Sequence, residues 1–150
     1  MIQHGTYLDL PPAHWVRLTE SESPLDRRLG VYALGELRSS TIDAAHPLAA
    51  ALEDPVSFVR VWAAASVVRI AHMRPEALEV LVQATEDEVS FVRSLAAWHL
   101  GRLGSACPGI ETALPRLERL LDDDDASVRH EAALALERLR PDADLTFAGG

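Results

Sequence analysis

An arginine followed by small residues recurs along the chain at nearly constant spacing. The four copies, Arg27, Arg60, Arg93 and Arg129, are separated by 33, 33 and 36 residues. Small residues or valine stand three and four positions after each arginine, and leucine or valine stands seven positions after it. One copy of this pattern cannot bury its apolar face alone. We therefore expect neighbouring copies to stack as the repeats of a solenoid.

Each repeat is predicted to contain two helices, because its apolar residues are three and four positions apart. First helices are predicted at 24–38, 57–73, 90–103 and 127–140, and second helices at 42–53, 75–86 and 110–121. Ser90 is the expected N-cap of a helix that begins near Phe91. The segment 13–19 carries Trp15 where the later repeats have second-helix leucines. It is predicted to be the second helix of a truncated leading repeat, which acts as an N-terminal cap.

Composition is consistent with one all-α domain, a right-handed α-α superhelix of about four repeats. Its expected boundaries are an irregular lead-in at 1–12, the repeat domain at 13–140 and a flexible tail at 141–150. The net charge of −9 repels phosphate backbones, so nucleic acid is not an expected partner. No apolar run approaches the roughly 20 residues of a membrane span. We therefore expect a cytoplasmic protein that does not bind membranes.

Three segments resemble one known kind of repeat. They are Asp54-Pro-Val-Ser-Phe-Val-Arg-Val-Trp-Ala-Ala, Asp87-Glu-Val-Ser-Phe-Val-Arg-Ser-Leu-Ala-Ala and Asp124-Asp-Ala-Ser-Val-Arg-His-Glu-Ala-Ala. They resemble HEAT-like repeats, in particular the short repeats found in phycobilisome lyases. The resemblance extends from about Trp15 to Arg140. It implies that turn aspartates and helix arginines form a ladder between repeats, which gives Arg60, Arg93 and Arg129 a structural role. The first full repeat departs from the pattern, because Asp26 stands where the others have valine.

Each group of residues that could carry chemistry also has a structural explanation. His130 and Glu131 resemble a metal-binding pair of deoxyhypusine hydroxylase, a di-iron enzyme built from similar repeats. The equivalent positions of the other repeats carry no such ligands, so this pair is expected on a solvated helix face. The turn 122–125 lacks the alternating ligands and glycine of a calcium loop. Cys107 is expected to be an incidental free thiol.

The predicted function is that of a non-catalytic interaction module, with no catalytic residue, metal or cofactor. The alternative is an enzyme or enzyme subunit, either a bilin-lyase-like chromophore carrier or a hydroxylase-like metal protein. Positions two before, two after and five after the arginine lie opposite the core face and should be polar. They are largely apolar in three repeats, and the predicted partner-binding residues are Leu25, Leu29, Tyr32, Phe58, Trp62, Phe91, Leu95 and Trp98.

These residues would bind a protein partner or a second copy of the chain through aromatic anchors. In an alternative left open, Phe58 and Phe91 fold into the turns between helices, or the lead-in at 1–12 covers them. The second helices supply a further candidate surface, a groove formed by Asp43, His46, Glu76, Glu79, Gln83, Arg116 and Arg119. Its acidic middle would suit a basic peptide, although a solvated face explains it equally well. His99 is expected to pack between repeats, because sister positions carry small residues.

Overall fold

A computed structural model describes residues 8–37, 45–68 and 74–140 of the chain. The described elements are helices and include no β-strand, which confirms the all-α prediction. The α-helices are α1 Pro12–Thr19, α2 Pro24–Leu37, α3 Ala45–Ala51, α4 Ser57–Val67, α5 Arg74–Ala84, α6 Ser90–Leu103, α7 Leu114–Leu120 and α8 Ala126–Leu139. A short 3-10 helix, Ile110–Ala113, precedes α7. The chain divides into two compact units, Met1–Val80 and Leu81–Gly150.

The helix starts that can be compared agree with the predicted ones to within one residue, whereas α3, α4 and α5 end at Ala51, Val67 and Ala84, before the predicted ends at 53, 73 and 86. The first helices α2, α4, α6 and α8 begin at the predicted residue or one residue before it. Residues 38, 42–44 and 69–73, which were predicted to be helical, lie outside the described residues, as does the predicted tail at 141–150. The helix predicted at 110–121 divides at Leu114. Pro115 explains this division, because a proline without an amide hydrogen fits the first turn of α7 and not its interior.

The first unit has a core made by α1, α2, α3 and α4. Helix α1 packs on α2, α2 packs on α4, and α3 packs on α4. The larger buried side chains are Trp15, Val31, Leu34, Leu48, Val59 and Val67. Gly30 lets α1 lie close to α2, since a Cβ atom there would be 2.6 Å from the carbonyl oxygen of Trp15. Asp26, the residue that departs from the valine pattern, is exposed.

The second unit repeats this packing with α6, α7 and α8. Helix α6 packs on α8, α7 packs on α8, and the 3-10 helix contacts both α6 and α7. The larger buried side chains are Leu81, Val92, Leu100, Ile110, Leu117, Leu120 and Val128. Gly101 has the role of Gly30, because a Cβ atom there would be 2.9 Å from Cα of Ala135. The repeat spacing therefore predicted most of the buried positions, although Leu103 and Leu136 are half-buried and Ala133 is exposed.

Candidate protein-interaction surface

The recurring arginine of each repeat is called its anchor arginine. The turns before α4, α6 and α8 are each organised by an aspartate that lies six residues before the anchor arginine. Its Oδ1 accepts a hydrogen bond from the backbone amide two residues later, at 2.9 Å in each of the three turns. These pairs are Asp54 with Val56, Asp87 with Val89, and Asp123 with Asp125. In the last turn this aspartate is Asp123. The segment quoted for the resemblance begins at Asp124 and was therefore aligned one residue too late. An aspartate favours such turns because its short side chain reaches the backbone two positions on.

The anchor arginines close these turns from the helix side. In each repeat, Nη1 donates a hydrogen bond to the carbonyl oxygen six residues earlier. The distances are 3.0 Å from Arg27 to Ser21, 2.6 Å from Arg60 to Asp54, 2.8 Å from Arg93 to Asp87 and 2.7 Å from Arg129 to Asp123. Four arginines in equivalent positions thus satisfy backbone carbonyls that a tight turn leaves without an amide partner.

Two of these arginines also form bidentate ion pairs within their own unit. Nε and Nη2 of Arg27 donate to Asp54 at 2.7 and 3.0 Å. The same atoms of Arg93 donate to Asp123 at 2.8 and 2.9 Å. Burial would raise the pKa of Asp54, but the hydrogen bonds from Arg27 and Val56 outweigh it and hold that pKa below its ordinary value. These two pairs confirm the predicted ladder of turn aspartates and helix arginines for Arg27 and Arg93, and both arginines have a structural role.

Ser90 does not cap α6, and this prediction was wrong. The N-cap residue is Val89, which has no side-chain cap, and Ser90 is the first residue of the helix. The Asp87 turn sets the helix start one residue earlier than expected. A side-chain cap is instead present at α8, where the carboxylate of Asp125 accepts a hydrogen bond from the amide of Ser127 at 2.8 Å. The amide of Ser127, followed by the hydroxyl of Ser90, lowers the pKa of Asp125.

In the first unit, the predicted partner-binding residues lie on the accessible side of α2 and α4. Leu25 and Leu29, one helical turn apart on α2, are 69% and 38% exposed. Tyr32 and Trp62 are half-buried and meet edge to face, with ring centroids 5.7 Å apart. The guanidinium of Arg28 lies 5.1 Å from the centroid of the Trp62 ring. The accessible side of the first unit therefore has two exposed leucines, an aromatic pair, and a guanidinium group against one of the two rings.

The second unit exposes a smaller set of predicted residues on α6. Phe91 is 64% exposed, which contradicts the alternative in which it folds into the turn. Phe58, its counterpart in the first unit, is half-buried, in partial agreement with that alternative. Leu95 and Trp98 are half-buried. The guanidinium of Arg102 lies 4.7 Å from the centroid of the Trp98 ring, an arrangement that the sequence analysis missed. The i, i+4 spacing of Trp98 and Arg102 was the available signal.

The second-helix residues have mixed surroundings. In the first unit His46, Glu76 and Glu79 are exposed, while Asp43 lies outside the described residues. In the second unit Gln83 is exposed. Arg116 forms an ion pair with Glu86, and Nη1 of Arg119 is 3.5 Å from Oε1 of the same glutamate. Glu86 was missed by the sequence analysis, and it competes with any acidic ligand for both arginines.

The residues considered for chemistry are not brought together. Among the described residues, no three His, Cys, Asp or Glu side chains are grouped so that they could hold a metal ion. His130 is exposed and Glu131 is half-buried on α8. Cys107 is half-buried in the loop before the 3-10 helix, and its Sγ atom lies 3.8 Å from the carbonyl oxygen of Pro108. No described helix has the length and apolar character needed to cross a bilayer.

His99 is buried, as the small residues at the sister positions predicted, with 8% of its surface exposed. Burial, followed by the charge of Arg102, lowers its pKa from 6.5 to about 4. Between these two values the unfolded chain binds a proton that the folded chain does not bind, so stability falls as the pH falls through this range. From about pH 7 to about pH 4.5, this one group should reduce the free energy of unfolding by about 2 kcal/mol.

Urea denaturation at the two pH values measures this loss. We expect His99→Ala to remove that part of the pH dependence, while His130→Ala, a change of an exposed histidine, should retain it. An unchanged pH dependence in His99→Ala would contradict the assignment to His99. The aspartates whose pKa values are lowered contribute separately, because their stabilisation is lost below pH values of about 4.

The helical pairs recur with the same turn aspartate, the same anchor arginine and a buried leucine in the second helix. This recurrence defines an α-helical repeat protein. The family model described as HEAT repeats matches residues 13–101 and 90–147. The chain therefore belongs to the HEAT repeat family, whose members typically mediate protein–protein interactions or act as scaffolds. A comparison with curated proteins gives no match.

Proposed function

We propose that the chain is a non-catalytic protein-binding module of the cytoplasm that docks a protein partner on the apolar side of its first helices. The observation that carries this proposal is the exposure of Leu25 and Leu29 on α2, at 69% and 38%, beside the Tyr32–Trp62 pair. Exposed leucines that continue into an aromatic pair provide the apolar anchors that protein interfaces use. On the second unit, Phe91 and Trp98 offer aromatic anchors of the same kind.

We infer a partner other than a second copy of the chain. Each copy has a net charge of −9, and two such copies repel each other when they associate. Arg28, stacked on Trp62, gives this side of the first unit a local positive charge at the edge of its apolar residues. A complementary partner segment presents apolar side chains with a carboxylate beside them. The more specific resemblance to phycobilisome lyases remains a prediction and adds no site residue.

A charge placed on the apolar side should abolish association. In Leu25→Glu/Leu29→Glu, both substituted side chains are already exposed, so the helices should be retained. We expect the double variant to retain at most about a tenth of the partner that the unmodified chain captures, because two desolvated carboxylates would face apolar side chains. The measurement is quantitative mass spectrometry of proteins captured from the native cell by each immobilised chain, with helicity checked by circular dichroism.

Leu121→Glu is the matched control, because Leu121 is 41% exposed but lies in the turn after α7. It should capture the same proteins as the unmodified chain. Sedimentation equilibrium of the unmodified chain tests the competing occupant, a second copy. A captured set that is identical for the double variant and the control would overturn the proposal. Self-association that Leu25→Glu/Leu29→Glu abolishes would replace the inferred partner by a second copy.

A further inference from the structure

A cleft of about 460 Å³ opens to solvent on the second unit between α6 and α8. Trp98, Gly101 and Arg102 line it from α6, and Arg138 lines it from α8. Gly101 contributes no side chain, and it lies close to α8, since a Cβ atom there would be 2.9 Å from Cα of Ala135. The accessible groups of the cleft are therefore one indole ring and two guanidinium groups.

These two guanidinium groups differ from the others of the second unit, which all have an oxygen partner. The partners are Asp123 for Arg93, Glu86 for Arg116 and Arg119, the carbonyl oxygen of Asp123 for Arg129, and Glu118 for Arg140. Within residues 81–140, neither Arg102 nor Arg138 forms an ion pair or a hydrogen bond with an acceptor. Two like charges that meet at one cleft without an acid between them favour an anionic ligand.

Trp98 adds an apolar surface and fixes one of the two charges. The Arg102 guanidinium stacks at 4.7 Å from the centroid of the Trp98 ring. A stacked guanidinium keeps the donors in its own plane available, so it can still donate a pair of hydrogen bonds to a carboxylate. Arg138, which is exposed on the opposite helix, can bind the same anion from the other side. The remaining indole surface suits an apolar neighbour of that anion.

We propose that this cleft recognises an aspartate or glutamate side chain, flanked by an apolar residue, in a segment of the partner protein. This inference rests on the proposed function, because Trp98 is one of the predicted partner-binding residues. The whole chain is acidic, and Asp122 to Asp125 lie in the same unit, so an extended polyanion such as nucleic acid would be repelled. A single carboxylate in a docked segment interacts with the two arginines without that cost.

A random twelve-residue peptide library displayed on phage tests the proposal without knowledge of the partner. The library is selected on the immobilised full chain, on Arg102→Gln/Arg138→Gln, and on Arg119→Gln. Arg119 is 65% exposed and lies outside the cleft, so its variant matches the loss of one positive charge in each single cleft variant. We expect peptides rich in aspartate or glutamate beside an apolar residue from the full chain and from Arg119→Gln. The double variant should lose this acidic bias.

The dissociation constant of the most enriched peptide then measures the contribution of each arginine. Arg102→Gln and Arg138→Gln should each weaken binding by about fivefold, a modest factor because both groups are exposed. Peptides without an acidic bias, an equal bias on the double variant, an equal effect of Arg119→Gln, or no enriched peptide would each overturn the proposal. The proposed function fails separately, through the capture experiment on Leu25 and Leu29.

Discussion

Replacing Trp15 by alanine is expected to lower the free energy of unfolding by about 3–5 kcal/mol, the usual cost of removing a buried tryptophan. Trp15 is 3% exposed and is the buried residue of α1, a helix of only eight residues. So short a helix has little stability of its own, and its position depends on packing against α2. The substitution removes most of that apolar contact and leaves a cavity in the core of the first unit.

Arg17→Ala is the control for this experiment, because Arg17 is exposed on the same helix. It should change the free energy of unfolding by less than about 0.5 kcal/mol. Urea denaturation of the full chain, followed by circular dichroism, measures both variants. A loss below about 1 kcal/mol in Trp15→Ala would show that the first unit folds without help from α1. The prediction that α1 caps the repeats would then be wrong.

Leu100→Ala is expected to lower the free energy of unfolding by about 2–5 kcal/mol. Leu100 is fully buried on α6, seven residues after the anchor arginine, where each repeat carries leucine or valine. The packing of α6 on α8 is set by the close contact of Gly101 with Ala135. Because even one Cβ atom at Gly101 would be only 2.9 Å from Cα of Ala135, the helices have little freedom to close around a cavity, which places the expected loss in the upper part of the range.

The comparison for Leu100 is Leu121→Ala, which removes the same atoms from a side chain that is 41% exposed. It should change the free energy of unfolding by less than about 1 kcal/mol, because the site is already largely hydrated. Equal losses in the two variants, measured by urea denaturation, would contradict the assignment of the position seven residues after the arginine to the core.

Periodicity made the fold accessible from the sequence. Helix spacing within a repeat and the near-constant distance between arginines predicted which residues would be buried, including Trp15 as the counterpart of Leu48, Leu81 and Leu117. All four are at most 3% exposed. This inference succeeds because each repeat must bury the same face, so the same positions remain apolar while the rest of the repeat varies.

The details of the turns and of the candidate surfaces were less accessible. Ser90 was predicted to be the N-cap of α6 because serine favours that position locally. The turn made by Asp87 places Val89 there instead. Arg116 and Arg119 were assigned to a groove surface, but both meet Glu86, some 30 residues earlier in the chain. Pairs of this kind depend on the rotation of each helix about its axis. A repeat pattern restricts that rotation only to within a fraction of a turn.

The amino-acid sequence alone determined that the chain is helical, that its repeats share one register, and that particular apolar side chains form the core. Local spacing suffices for this, since helix periodicity and the burial of one face act within each repeat. Only the tertiary structure decided which arginines have acidic partners and which meet at the cleft beside Trp98. Those partnerships join residues from different helices, and the packing of α6 on α8 sets the distance between them.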